Sequence, residues 1–207
     1  MDWVLRSSAL VVTLDRAKSI QFDPLLLRKG EVVLLKGNSG SGKSTLIHAL
    51  AGLIPLQSGK IEIDAMGAYQ AGQSPPRNWR RNAVSVMPQR AFFWNALSLK
   101  GNLDLAAWCK RVPRDYEPLQ ALGLSEKSAQ AAHSLSLGEQ QRLGALRALL
   151  GTAPVVLADE PTASLDDFNA EKLVKLMKSH LGNRSLIVSS HDSRLNSLVD
   201  RTIILPG

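Results

Sequence analysis

The sequence predicts an α/β fold, with a parallel-sheet core interrupted by an all-helical insertion. Three observations predict it. Short, nearly continuous apolar runs, Glu31 to Lys36 (EVVLLK) and Val155 to Ala158, read as buried parallel strands. Strand and helix patterns alternate at both ends of the chain. Between them, Leu- and Ala-rich segments read as helices, which predicts an inserted helical subdomain over about 92–150 and an α/β core from 1–91 and 151–207.

Each element has a local reason. Ala9 to Leu14 reads as a strand, and Glu31 to Lys36 as the strand that delivers a Gly-rich turn. Lys43 to Leu53 places Leu46, Leu50 and Leu53 at helical spacing. Lys60 to Asp64 alternates as a strand does, and Ala83 to Met87 is another strand candidate. Ser98 to Val112 and Asp115 to Ala132 read as helices, with Ser98 and Ser125 as N-caps. Glu139 to Leu150 is a strong helix pattern. The C-terminal part then alternates: strand at Val155, helix from Asp167 to His180, strand at Ser185 to Ser189, short helix near Ser193, strand at Thr202 to Leu205.

The chain has 207 residues, 44% hydrophobic and 21% charged, so it can bury a core and wholesale disorder is excluded. The single cysteine, Cys109, excludes an internal disulfide and fits a reducing compartment. No apolar run reaches the roughly 18 residues of a bilayer span, and the N-terminus does not read as a signal peptide. The net charge of +7 points to an acidic partner without choosing one.

Gly37-Asn38-Ser39-Gly40-Ser41-Gly42-Lys43-Ser44 fits G-x-x-x-x-G-K-[ST], between a predicted buried strand and a helix start. Glycines let backbone N–H groups curl around phosphate oxygens, and the helix N-terminus adds the positive end of a dipole. Lys43 reaches the β- and γ-phosphates, Ser44 offers a hydroxyl to Mg²⁺, and Thr45 adds one near the α-phosphate. Further on, a buried strand ends in Asp159-Glu160. Its C-terminal edge delivers both acids to a ligand crevice, Asp159 to the Mg²⁺ shell and Glu160 to the attacking water as general base.

Taken together, these segments resemble the ATP-binding cassette (ABC) ATPases over nearly the whole chain. The motifs follow that family's order: the loop at 37–45, Gln89 after a strand, Leu135-Ser-Leu-Gly-Glu-Gln-Gln-Arg142, Asp159-Glu160-Pro-Thr162, Ser164-Leu165-Asp166 and Ser190-His191-Asp192. The wording around Asp159 is similar to the lipoprotein-releasing and macrolide-export subfamily. The resemblance implies a P-loop NTPase fold, with a RecA-like parallel sheet and an N-terminal antiparallel β part. It implies that Gln89 reaches Mg²⁺ and the water, and that His191 contacts the γ-phosphate and orients Glu160. Asp166 would line a subunit interface, cap the following helix, or do both. Ser136 and Gly138 would bind the γ-phosphate held by the other protomer of a head-to-tail homodimer, or merely cap a helix. ATP and Mg²⁺ are the implied ligands.

The family's usual L-S-G-G segment has Leu137 in place of the first Gly, which predicts crowding or a forbidden positive φ and slower hydrolysis. The usual base-stacking aromatic is missing between Val4 and Gln21; Phe22 reads as core, and Arg16 is a candidate guanidinium platform.

From Ala65 to Leu103 there is no acid, while Arg77, Arg80, Arg81, Arg90 and Lys100 stand among Trp79, Phe92, Phe93 and Trp94. In the family that the chain resembles this region faces the membrane subunits, so the resemblance implies a docking face for integral-membrane permease subunits near anionic headgroups; the residues alone equally allow a solvated basic loop over core aromatics. The sequence therefore reads as the ATP-hydrolysing subunit of an ABC transporter, peripheral to the cytoplasmic face of the membrane, with permease on separate polypeptides and nothing appended. No nucleic-acid partner is expected. The alternatives are a soluble ABC ATPase acting on nucleic acid or ribosome, and a slow or non-catalytic ATP-dependent dimerisation module.

Overall fold

The computed structural model describes residues 2–15 and 18–206. Five parallel strands form the central sheet in the order β11-β5-β10-β9-β8. They are β5 (Val32–Lys36), β8 (Val84–Met87), β9 (Val155–Asp159), β10 (Ser185–Ser189) and β11 (Arg201–Ile204). β9 and β10 are buried along their whole length, as runs covered on both faces must be. A second sheet is antiparallel, order β4-β1-β6-β7, from β1 (Trp3–Ser7), β4 (Leu26–Arg28), β6 (Lys60–Ile63) and β7 (Gly67–Gln70). β2 (Leu10–Asp15) and β3 (Lys18–Phe22) form a separate hairpin.

One apolar cluster joins α1 (Lys43–Leu50), the antiparallel sheet and one face of the parallel sheet, through Leu46, Ile47, Leu50, Ile61, Val33 and Leu157. Trp79 pins it: its Nε1 donates to Leu50 O at 3.1 Å, and Tyr69 stands edge-on to it at 5.1 Å. The second cluster joins the other face (Val156, Val188) to α2 (Leu99–Lys110), α3 (Glu117–Ala121), α4 (Leu137–Leu149) and α5 (Asp167–Leu181). The helices between 99 and 149 thus share a core with the sheet. Among the described residues, no helix is long and apolar enough to cross a membrane.

Some expectations need correction. The helix expected over Asp115 to Ala132 is only α3, followed by 3₁₀ turns at Ser125–Lys127 and Ala132–Ser134. Gly123, at φ 66, ends α3 in a left-handed turn. The Leu and Ala that suggested a longer helix are there for burial: Leu119, Leu122, Leu124 and Ala132 all belong to the second cluster. Ser125 caps nothing, whereas Ser98 accepts the Gly101 N–H as expected. Of the five aromatics in the basic stretch, Tyr69, Trp79 and Phe93 are core, while Phe92 and Trp94 are 77% and 61% exposed.

Candidate nucleotide site

β5 ends at Lys36, and the chain turns through 37–42 into α1. A Cβ on Gly37 would meet Ser41 Oγ at 2.5 Å, so the loop closes only with glycine there. Gly42 sits at φ 92, and a Cβ there would press the Phe22 ring at 3.1 Å. Phe22, the last residue of β3, is therefore the floor beneath the loop and is core, as expected. Arg16 lies outside the described residues. Lys43 Nζ donates to Gly37 O at 2.7 Å and Asn38 O at 3.1 Å, closing the loop on itself. Ser41 Oγ is buried without a hydrogen-bond partner in a loop of phosphate-binding type.

A cleft of about 1220 Å³ opens above the C-terminal ends of β5, β9 and β10. It collects Ser39, Gly40, Gly42, Lys43, Ser44 and Thr45 from the loop, and Gln89, Asp159, Glu160 and His191 from the strand ends. Gly37, Asn38 and Ser41 form the loop beneath, outside the cleft lining. The hairpin edges the cleft with Leu14, Lys18 and Ile20.

Asp159 is 2% exposed, and its Oδ1 accepts the Ser189 hydroxyl at 2.5 Å. Glu160 takes φ 45, a left-handed value unusual for a residue with a side chain. Two acceptors fix its N–H, Ser189 O at 3.0 Å and Ser189 Oγ at 3.1 Å. His191 Nε2 stands 3.8 Å from Glu160 Oε1. Arg194 forks onto Asp192, with Nε to Oδ1 at 2.8 Å and Nη2 to Oδ2 at 2.7 Å, and Nη1 reaches Asp167 Oδ1 at 2.6 Å. That fork holds the Asp192 carboxyl down at about 2. Ser189 carries no sequence signature, because its partners lie at the end of β9, and Arg194 reaches from Asp192, two residues before it, across to Asp167 on α5.

Ser136, Gly138 and Asp166 lie outside the cleft. Ser136 is the N-cap of α4 in a capping box with Glu139. A Cβ on Gly138 would come within 3.2 Å of Ser164 O, so this helix start abuts the loop after β9. Asp166 caps α5, its Oδ1 accepting the Asn169 N–H at 2.8 Å. Hydrogen bonds from Asn169 and, beyond them, the Arg142 and Arg194 charges hold its carboxyl below the usual range. Leu137 does not take a positive φ: it is the first residue of α4 and 59% exposed. The expected backbone conflict is absent, because the helix start needs no left-handed residue here.

The family model described as ABC transporter matches residues 23–163. The chain belongs to the ABC transporter family. This ABC cassette is 34% identical over 183 residues to an uncharacterized ABC transporter ATP-binding protein of Mycobacterium tuberculosis, covering 85% of the chain and 56% of the relative. It is 32% identical over 188 residues to the lipoprotein-releasing system ATP-binding protein LolD of Bacteroides fragilis, covering 86% and 87%. It is 33% identical over 186 residues to the macrolide export ATP-binding/permease protein MacB of Shewanella sp., covering 86% of the chain and 28% of MacB. The chain thus spans about half the length of the mycobacterial relative and about a quarter of MacB. The ABC cassette superposes on the ATP-binding cassette MJ0796, solved as a dimer in a post-hydrolysis state with ADP and Pi, at TM-score 0.80 and 25% identity, covering 97% and 94%.

Proposed function

We propose that this ABC cassette is the ATP-hydrolysing motor subunit of a transporter of the LolD/MacB type. One observation carries the reading: a single cleft brings the phosphate loop together with Gln89, Asp159, Glu160 and His191. In it, the loop N–H groups, Lys43 and the α1 N-terminus bind the triphosphate. Thr45 adds a hydroxyl beside the α-phosphate. Ser44, Asp159 and Gln89 are the oxygen donors for Mg²⁺, which when bound shields the β- and γ-phosphate charge. The buried, unpartnered Ser41 hydroxyl and the hard-oxygen character of this set fit both groups. Glu160 takes a proton from the attacking water, and His191 steers its carboxylate and donates to a γ-phosphate oxygen.

The outlying positions have a use in a head-to-tail homodimer. There the α4 N-terminus, with Ser136 and Gly138, closes on the γ-phosphate of the partner's nucleotide, and Asp166 lines the seam. Two nucleotides join the dimer, hydrolysis opens it, and the 92–150 helical stretch passes the motion to permease subunits at the cytoplasmic face. Exposed Arg80, Arg90, Phe92 and Trp94 support docking of those subunits. Glu substitutions at Arg80 and Arg90 should weaken co-purification with the membrane partner; intact assembly would refute the docking surface.

Glu160→Gln tests the whole reading. It should abolish steady-state ATP turnover and trap an ATP-bound dimer on size exclusion. Turnover at the wild-type rate would overturn it.

A further inference from the structure

Gln141 lies on α4 and is 4% exposed. Its Nε2 donates to the main-chain oxygen of Glu160 at 3.0 Å, bridging from α4 to the end of β9. Glu160 is held at φ 45, and such a conformation persists only where neighbours over-determine it. Its N–H is clamped by Ser189 on β10. Its C=O accepts the Gln141 amide from α4, a helix that belongs to neither strand, and at 3.3 Å the Ala163 N–H from the turn that follows. Pro161 fixes the φ that follows, so loss of the Gln141 bond does not flip this peptide; it unties the end of β9 from α4, and the Glu160 backbone shifts with its carboxylate. His191, at 3.8 Å and largely exposed, is no substitute anchor.

We infer that Gln141 is a positioning residue for Glu160. It holds the strained peptide so that the carboxylate faces the cleft. It also ties that carboxylate to the helix whose Ser136 cap lies about one and a half turns away. A shift of the α4 N-terminus is then felt at Glu160 in the same protomer. The inference rests on reading Glu160 as the general base.

Two near-isosteric variants of the full chain test it, with kcat and KM for ATP measured at saturating Mg²⁺. Gln141→Met removes the donor at constant size. It should lower kcat about tenfold, the effect of one lost buried hydrogen bond, with KM near wild type and the modest fall in thermal stability that such a loss brings. Gln141→Glu cannot donate when ionised. Burial and the facing carbonyl favour its neutral form, whose O–H donates again. Its kcat relative to wild type should therefore recover as pH falls from about 8 to about 6. Wild-type kcat in Gln141→Met, or a fall in kcat matched by an equal loss of ATP binding, overturns the inference. Glu160→Gln separates the two levels. If that variant is dead while Gln141→Met is fully active, the inference fails and the motor function stands. If Glu160→Gln turns over normally, both fail.

Discussion

Ser189 serves two acids with one hydroxyl: it donates to Asp159 and accepts from the Glu160 N–H. It is fully buried, so Ser189→Ala leaves the Asp159 oxygen without its donor, while the Glu160 N–H keeps the main-chain oxygen of residue 189. The cost should be about 1–3 kcal/mol, read as a lower midpoint in urea unfolding at unchanged m-value. The Arg194 fork makes a second residue-scale prediction. Asp192 has a folded-state value of about 2 against roughly 3.9 unfolded, so its contribution is complete above pH 4 and disappears as pH falls through 2. Arg194→Ala should flatten that acid limb and lower neutral-pH stability by up to about 2 kcal/mol, measured by denaturant titration across pH. At this scale the phosphate loop was legible, because its glycines answer to local backbone geometry. So were Asp159 and Glu160, which a strand end delivers. Ser189 and Gln141 were not, since each matters through a partner that only folding brings near; the Arg194–Asp192 pair is local in sequence, but nothing in the spacing marks the fork.

The C-terminal end of α4 shows how one element is fastened. Lys110, from α2, donates its ammonium to Arg147 O at 3.0 Å, Ala148 O at 3.2 Å and Leu150 O at 2.6 Å. Arg184 takes Leu149 O and Gly151 O, both at 3.1 Å. Burial, with the Arg184 and Arg147 charges, pushes the Lys110 ammonium down to about 7. Between pH 7 and about 10.4 the unfolded chain then binds the extra proton, so stability rises with pH by up to about 1.4 kcal/mol per unit. Lys110→Met should lack that slope and lose about 1–3 kcal/mol from stranded carbonyls, as paired pH–stability curves would show. Farther along α4, a Cβ on Gly144 would stand 2.7 Å from Ala91 Cβ. Gly144→Ala should therefore cost about 1–3 kcal/mol in unfolding free energy despite its better helix propensity. Periodicity revealed α2, α4 and α5, each long enough to repeat its apolar face. It failed on α3, where burial alone put Leu and Ala in place, on β1 and β7, whose WVLRS and GAYQ do not alternate, and on the largely exposed β3.

For the whole molecule, strand–helix alternation was enough to predict the parallel core, whereas the pairing order was not legible because non-local registers leave no mark on single segments. The charge reading sharpened once burial was known, since only Phe92 and Trp94 remain on the surface to accompany the arginines. Leu137 is a question for the assembled dimer: exposed at the helix start, it strains nothing within one protomer. Leu137→Gly should raise steady-state turnover by widening the approach to the partner's nucleotide; an unchanged rate would show that the side chain is tolerated there. The sheet order itself bears on how the protein is made. β5, which carries the phosphate loop, has only β10 and β11 as sheet neighbours. A ribosome has therefore long finished the loop before it has made either strand that holds it in place. Such distant pairing is slow and leaves apolar edges open meanwhile. Nucleotide binding is thus one of the last properties a nascent chain acquires, and chaperones have most to do while β5 waits for its neighbours.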